Sequence, residues 1–227
     1  MTPFMLGVLP YLERFRQERS FGVLTLLFVL FVLAAWLTRR AVVQRLDERM
    51  TLGLQHRRSP GLDRLMRGMT ILGDPAALGV VAALGALFLW ATGRREAAVL
   101  TLLALVGLPL NFAIKELIRR PRPDLALVKV LLPVTGRSFP SGHAMTATML
   151  YGFLGLLIWV HAHPAGVRSA VTSVMALIPL GVGLSRIYLG VHWFSDVLGG
   201  WAAGVFFLLV MALLYGLIGG GQLLPWG

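Results

Sequence analysis

Apolar residues along this chain come in long runs separated by short charged intervals, not in the strict alternation of half-buried strands. Six runs are visible: Phe21 to Leu37, about 71 to 92, about 97 to 114, just after His143 to about Val160, about 168 to 184, and after Asp196 to about Ile218. Each is close to the roughly 20 residues that a helix needs to cross a hydrocarbon layer. The interval from Arg39 to about Met69 departs from this pattern. It is strongly basic, yet Leu62, Leu65, Met66 and Met69 recur at helical spacing with Asp63, Arg64 and Arg67 between them. That spacing predicts an amphipathic helix lying on the membrane surface, and it equally suits the packed face of an ordinary short helix. With no internal repeat and no linker, the pattern predicts one all-α domain over residues 1–227. Its form is an integral membrane six-transmembrane-helix bundle with an interfacial amphipathic helix between helices 1 and 2.

Composition agrees: 57% of residues are hydrophobic and only 14% charged, far from the balance of a soluble domain. The net charge of +11 sits in cations clustered at the ends of the apolar runs, which points to anionic lipid headgroups and bilayer lipids as partners and away from nucleic acid. Without cysteine there is neither a disulfide framework nor a thiolate metal site, so any chemistry must use His, Ser, Asp, Lys and Arg. Arg14, Arg16 and Arg19 before the first run have the layout of a signal peptide, but Trp36-Leu37-Thr38-Arg39-Arg40 lacks a small-residue cleavage pattern. A first transmembrane helix with a basic flank is the better reading.

Parity then gathers the polar clusters. Lys115 follows the third run, Ser141 to His143 precede the fourth, Arg186 follows the fifth and His192 precedes the sixth. In a six-span protein these points share one side of the membrane. The richest cluster is Ser185-Arg-Ile-Tyr-Leu-Gly-Val-His192-Trp-Phe-Ser-Asp196. Arg186 offers a planar fork of donors suited to phosphate or carboxylate. His192 can be a nucleophile or a proton carrier, and Asp196, four residues on, can accept from one imidazole nitrogen and leave the other free. A membrane-edge ion pair would use the same residues. Lys115-Glu-Leu-Ile-Arg-Arg-Pro-Arg122-Pro123 can cradle a doubly charged phosphate or serve as a basic flank. Pro140-Ser141-Gly142-His143 opens a helix, where Ser141 and Gly142 can turn free N–H groups and a hydroxyl toward an anion and His143 can give a proton to a departing oxygen. His56, His161 and His163 fall outside these clusters and read as interfacial or loop residues. Asp74 and Asn111 read as helix-end or packing residues.

Taken together, Lys115, six residues, Arg122-Pro123; Pro140-Ser-Gly-His143; and Ser185-Arg186, five residues, His192, three residues, Asp196 resemble the three signature motifs of the type-2 phosphatidic acid phosphatase superfamily of integral-membrane lipid phosphatases, without a substitution. The resemblance covers essentially the whole chain, although the first 70 residues carry little of it. It implies that His192 attacks phosphorus and becomes a phosphohistidine, oriented by Asp196, and that His143 protonates the leaving group before water completes hydrolysis. Lys115, Arg122, Ser141, Gly142 and Arg186 would hold the phosphoryl oxygens. No metal or other cofactor enters that scheme, and the sequence has no carboxylate cluster of the kind magnesium takes.

A membrane lipid phosphate is the implied substrate. Phosphatidic acid, phosphatidylglycerol phosphate, undecaprenyl diphosphate and phosphorylated lipid A all present a terminal phosphate. The short loops resemble the bacterial members, for which undecaprenyl diphosphate and phosphatidylglycerol phosphate stand first, in a bacterial inner or plasma membrane. Lipid phosphotransfer, and non-catalytic binding or transport of an anionic lipid, are the competing functions; the second has no use for a nucleophile with its orienter. Orientation sets two arguments against each other. The motif-bearing side carries 15 of the 21 Lys and Arg, which by the positive-inside rule faces the cytoplasm, whereas the resemblance implies an extracytoplasmic site. The resemblance is preferred, since substrate binding and the surface helix account for many of those charges. The motifs do not fix the oligomeric state.

Overall fold

The computed structural model describes residues 19–124, 126–132, 134–162 and 164–218. Arg14 and Arg16 of the basic flank and the loop residue His163 lie outside them. Among the described residues the regular structure is helical: α1 (Arg19–Leu37), α2 (Ala41–Gln55), α3 (Pro60–Ile71), α4 (Pro75–Ala91), α5 (Arg95–Leu103), α6 (Gly107–Ile118), α7 (Gly142–His161), α8 (Ala165–Tyr188) and α9 (Phe194–Ile218). A single 3₁₀ turn, Ala104–Val106, joins α5 to α6, and the two run as one 24-residue rod. That rod, α7, α8 and α9 are each long and apolar enough to cross a membrane. The number rises to six if the bent pairs α1/α2, at 92°, and α3/α4, at 56°, each contribute a span.

The interval expected to hold one amphipathic helix holds two. Pro60 stands in the first turn of α3, where its missing N–H costs nothing, and Ser59 caps that turn by accepting from the Leu62 N–H at 3.2 Å. The chain therefore stops after Gln55 and restarts in a new direction. The Leu62 and Met66 stripe also differs from the surface-lying reading: it packs on Tyr188, Leu189 and Val191 at the end of α8, so this face of α3 is covered by protein. A second Pro after a capping residue repeats the device at α4, where Asp74 accepts from the Ala76 N–H at 3.0 Å, the helix-end role expected of it.

Helix α7 is the axis of the bundle. Ala144, Met145, Ala147, Leu150 and Phe153 along it are essentially inaccessible, enclosed mainly by α8 and α9. Small residues let α9 come close: a Cβ on Gly200 would lie 2.7 Å from the Ser141 carbonyl oxygen, and one on Gly204 would lie 2.6 Å from Thr148 Cβ. This close crossing brings the start of α9 against the start of α7. The outward faces of α4, α6 and α8 leave Leu84, Phe88, Phe112 and Leu177 more than half exposed, the arrangement expected where hydrocarbon rather than water is the neighbour.

Candidate active site

Four helix ends meet at one end of the bundle: the C-termini of α6 and α8 and the N-termini of α7 and α9. Between α8 and α9 the chain reverses at Gly190, whose φ of +70° suits glycine and whose missing side chain leaves room for the Lys129 carbonyl, 2.5 Å from where a Cβ would be. The Gln55 side chain clamps that segment, accepting from the Lys129 N–H at 3.0 Å and donating to the Lys129 and Tyr188 carbonyls at 2.8 and 3.0 Å. His192 is thereby held just before the first turn of α9.

Asp196, in that first turn, accepts from the Trp193 N–H at 2.8 Å, as an acidic residue at the third helical position does when it caps its own helix. The same carboxyl oxygen lies 3.4 Å from His192 Nδ1 and accepts from the Ser138 hydroxyl. Its other oxygen accepts from Arg120 at 2.6 Å. Asp196 is fully buried and both of its oxygens are hydrogen-bonded, so its orientation is fixed. On the far side of the ring, His192 Nε2 faces Arg122 Nη1 at 3.3 Å. A guanidinium can only donate, so Nε2 presents a lone pair and Nδ1 carries the proton toward Asp196. Burial pulls the His192 pKa from 6.5 down to about 3, against the opposing hydrogen bond and charge of Asp196, and the imidazole is neutral at ordinary pH.

Around that lone pair stand the cations. Arg122 is held by the Val191 carbonyl at 2.7 Å and the Gly136 carbonyl at 3.2 Å; burial lowers its pKa, with Asp196 opposing. Arg186 is 4% exposed and donates to Thr70 Oγ1 at 2.6 Å. Its Nε, and the buried hydroxyl of Ser141, have no hydrogen-bond partner among the described residues, the condition of donors waiting for an anion. Lys115 lies within charge–charge range of Arg122 and Arg186, and His143 within range of Arg186, His192, Lys115 and Arg122. Gly142 is pressed against Asn111, whose amide donates to the Pro140 carbonyl at 3.2 Å and fixes the turn into α7. The eight residues singled out from the sequence are thus brought together at this one end of the bundle. One detail is corrected: the Ser141 N–H is not free, because it donates to the Asp196 carbonyl at 2.9 Å as part of the α7–α9 crossing. Only its hydroxyl and the N–H groups of the α7 first turn remain for an anion.

Sequence reasoning missed a second tier. Arg120 joins Asp196 to Asp47 of α2, which it meets at 2.6 Å; Asp47 also accepts from the Ser195 N–H and hydroxyl, both at 2.7 Å. Ser138 and Thr70 hold Asp196 and Arg186 in turn. An acidic pair, Asp47-Glu48, inside a basic stretch was the available signal for Asp47. Among the described residues no group of three or more His, Asp or Glu could hold a metal ion. A neutral nucleophilic nitrogen inside a ring of cations suits attack on a phosphoryl group.

Comparison with known proteins points the same way. The model of the PAP2 superfamily matches residues 95–218. Phosphatidylglycerophosphatase B of Bacillus subtilis (strain 168) is 33% identical over 187 residues, covering 81% of this chain and 91% of that protein. Decaprenylphosphoryl-5-phosphoribose phosphatase of Mycobacterium tuberculosis is 33% identical over 166 residues, covering 72% and 84%. The crystal structure of a transmembrane PAP2 type phosphatidylglycerolphosphate phosphatase from Bacillus subtilis superposes with a TM-score of 0.75 at 29% identity, over 90% of this chain and 98% of that one.

Proposed function

Because the chain belongs to the PAP2 superfamily, and is an integral membrane lipid phosphate hydrolase, we propose that its site works through a phosphohistidine on His192. The observation that carries this is the pair of contacts on the His192 ring, Nδ1 toward Asp196 and Nε2 toward Arg122. The substrate phosphate settles among Lys115, Arg122, Arg186, the Ser141 hydroxyl and the Gly142 end of α7. His192 Nε2 forms a bond to phosphorus as the bond to the leaving oxygen breaks, and the electron pair goes to that oxygen, which takes a proton from His143. Asp196 holds the Nδ1–H and balances the positive charge that grows on the ring. Water then attacks phosphorus, giving a proton to the deprotonated His143, as the electron pair of the N–P bond returns to His192 Nε2 and phosphate is released. The binding or transport reading has no need of this neutral, carboxylate-oriented nitrogen.

Phosphatidylglycerol phosphate is the first substrate, supported by the name and extent of the Bacillus relative, and a polyprenyl diphosphate is the second, supported by the prenyl-linked substrate in the name of the mycobacterial one. The chain is one domain of six spans: α1, α4, the α5–α6 rod, α7, α8 and α9. Helix α2, turned 92° from α1, lies in the interface, with Val42, Leu46 and Met50 exposed along one face for lipid. The site opens on the extracytoplasmic side of a bacterial inner membrane.

The test is phosphate release by the detergent-solubilised protein in EDTA over phosphatidylglycerol phosphate, undecaprenyl diphosphate, phosphatidic acid and phosphorylated lipid A, beside His192→Ala. Release that persists in EDTA and disappears in the variant supports the mechanism. An active His192→Ala protein refutes it, and transfer of the phosphoryl group to a second lipid would make the chain a phosphotransferase.

A further inference from the structure

Asp196 does not stand alone behind His192. One of its oxygens is gripped by Arg120 at 2.6 Å, and the other side of the same guanidinium is gripped by Asp47 at 2.6 Å. All three side chains are buried, at 0%, 6% and 0% exposure for Asp47, Arg120 and Asp196. An arginine bound to the orienting carboxylate is a problem for catalysis, because it neutralises the charge that should steady the phosphorylated ring. Asp47 removes the problem. Two carboxylates against one guanidinium leave one net negative charge next to His192, while Arg120 still fixes where that charge lies.

We infer that Asp47 and Arg120 are positioning residues for the nucleophile: Arg120 locks the Asp196 carboxylate in place, and Asp47 keeps Arg120 from quenching it. The inference rests on the reading of His192 as the nucleophile. As the N–P bond forms, the imidazole keeps its Nδ1–H and gains a positive charge. The Asp47–Arg120–Asp196 chain supplies a single counter-charge, buried where water cannot screen it. Ser195 supports the outer member, giving Asp47 its backbone N–H and its hydroxyl at 2.7 Å each. The arrangement also ties α2 to the site: Asp47 is the point at which that helix touches the catalytic machinery through a side chain buried to the last atom.

Charge counting gives a test that a merely structural role does not pass. Asp47→Asn keeps shape but leaves the cluster with no net charge; Arg120→Gln leaves two unbalanced carboxylates; the double variant returns to one negative charge, carried by Asp196. Phosphatidylglycerol phosphate radiolabelled in its terminal phosphate is mixed with excess solubilised enzyme, and transfer of label to protein is timed. Asp47→Asn is expected to slow labelling about tenfold or more, with lipid affinity within about twofold of the parent. The double variant is expected to label faster than Asp47→Asn and within about tenfold of wild type, a coupling that independent structural losses do not produce.

Labelling by Asp47→Asn as fast as wild type, or a double variant slower than Asp47→Asn, overturns the inference. Should Asp47→Asn fail to fold, the double variant, which keeps the net charge of the parent cluster, decides alone: a folded double variant slowed more than about a hundredfold is the adverse result. His192→Ala run alongside separates the two readings. A wild type that takes no label on His192 removes the nucleophile assignment and this inference with it. A wild type that labels normally beside an equally fast Asp47→Asn removes this inference only.

Discussion

Each end of the bundle places a histidine beside an arginine, and among the described residues only His192 has a buried carboxylate behind it. His192 stands at the motif end. His161 stands in the last turn of α7, some 30 Å away along a 20-residue helix, with Arg94 within charge–charge range. The difference is in the second partner. His161 Nε2 meets the Tyr215 hydroxyl at 2.9 Å, a neutral group that can donate to the lone pair and so occupy it. His192 has its Nδ1 turned to a buried carboxylate and its Nε2 turned to the cations that would hold the electrophile. A histidine near positive charge is common at a membrane surface. What suits His192 to the role proposed for it is a fixed negative charge behind the ring and a lone pair turned to an arginine whose natural partner is the substrate phosphate.

The sharpest way to break this contrast is to remove each ring in turn. His192→Ala should lower phosphate release by more than about a thousandfold, and His161→Ala should leave it within about threefold, both followed as inorganic phosphate from phosphatidylglycerol phosphate. Comparable losses at both sites would mean that the opposite end also takes part. A smaller effect is expected of the Ser138 hydroxyl, which lies behind the proposed nucleophile. Ser138→Ala leaves Asp196 with Arg120, the Trp193 N–H and the His192 Nδ1–H but frees it to shift, so kcat should fall about tenfold with KM little changed. An unchanged kcat would show that Arg120 and the Trp193 N–H suffice to hold the carboxylate.

The reach of the sequence follows the same line. His192 and Asp196 are legible because four residues at a helix start put them on one face, and because their residue types allow few other uses. The convergence of Lys115, Arg122, Ser141, Gly142, His143 and Arg186 is legible through the parity of the apolar runs. Asp47 is not. Its partner Arg120 is 73 residues away, no local period links them, and Arg120 stands among Arg119 and Arg122, which carry the same charge at nearly the same place. Thr70 and Ser138 are hidden likewise, each a common residue whose importance depends on a partner in a distant helix. The break between α2 and α3 was written locally, in Ser59-Pro60, but the apolar spacing across 62–69 outweighed it. Whether that stripe meets lipid or protein depends on where α8 ends, which hydropathy cannot tell.

Acidification sharpens the contrast without touching catalysis. The folded protein holds the His192 pKa near 3, while the unfolded chain has the ordinary 6.5. Between those values the unfolded state binds a proton that the folded state refuses, so the sign is that stability rises with pH in this window and is lost as pH falls through it. The contribution is about 1.4 kcal/mol per pH unit at most. Thermal unfolding of the solubilised protein from pH 6.5 to 4.5 should therefore show a falling Tm, and His192→Gln, which has no proton to take up, should show a shallower fall. Parallel slopes would mean that water reaches the ring.

The smallest effect should come from the hydroxyl at the opposite end. Tyr215→Phe keeps the ring that meets Phe153 edge-on at 5.9 Å and removes only the oxygen that faces His161. The lone pair of His161 then faces no hydroxyl, and Arg94 remains nearby. If charge and an open imidazole were sufficient, the variant would gain a second site able to take a phosphoryl group, and label would appear on a His192→Ala/Tyr215→Phe protein. No such label is expected, because among the described residues no buried carboxylate stands behind His161 to balance a phosphorylated ring. The variant should instead keep wild-type phosphate release and lose about 1 kcal/mol of stability, the ordinary cost of one partly buried hydrogen bond, read as a small drop in Tm.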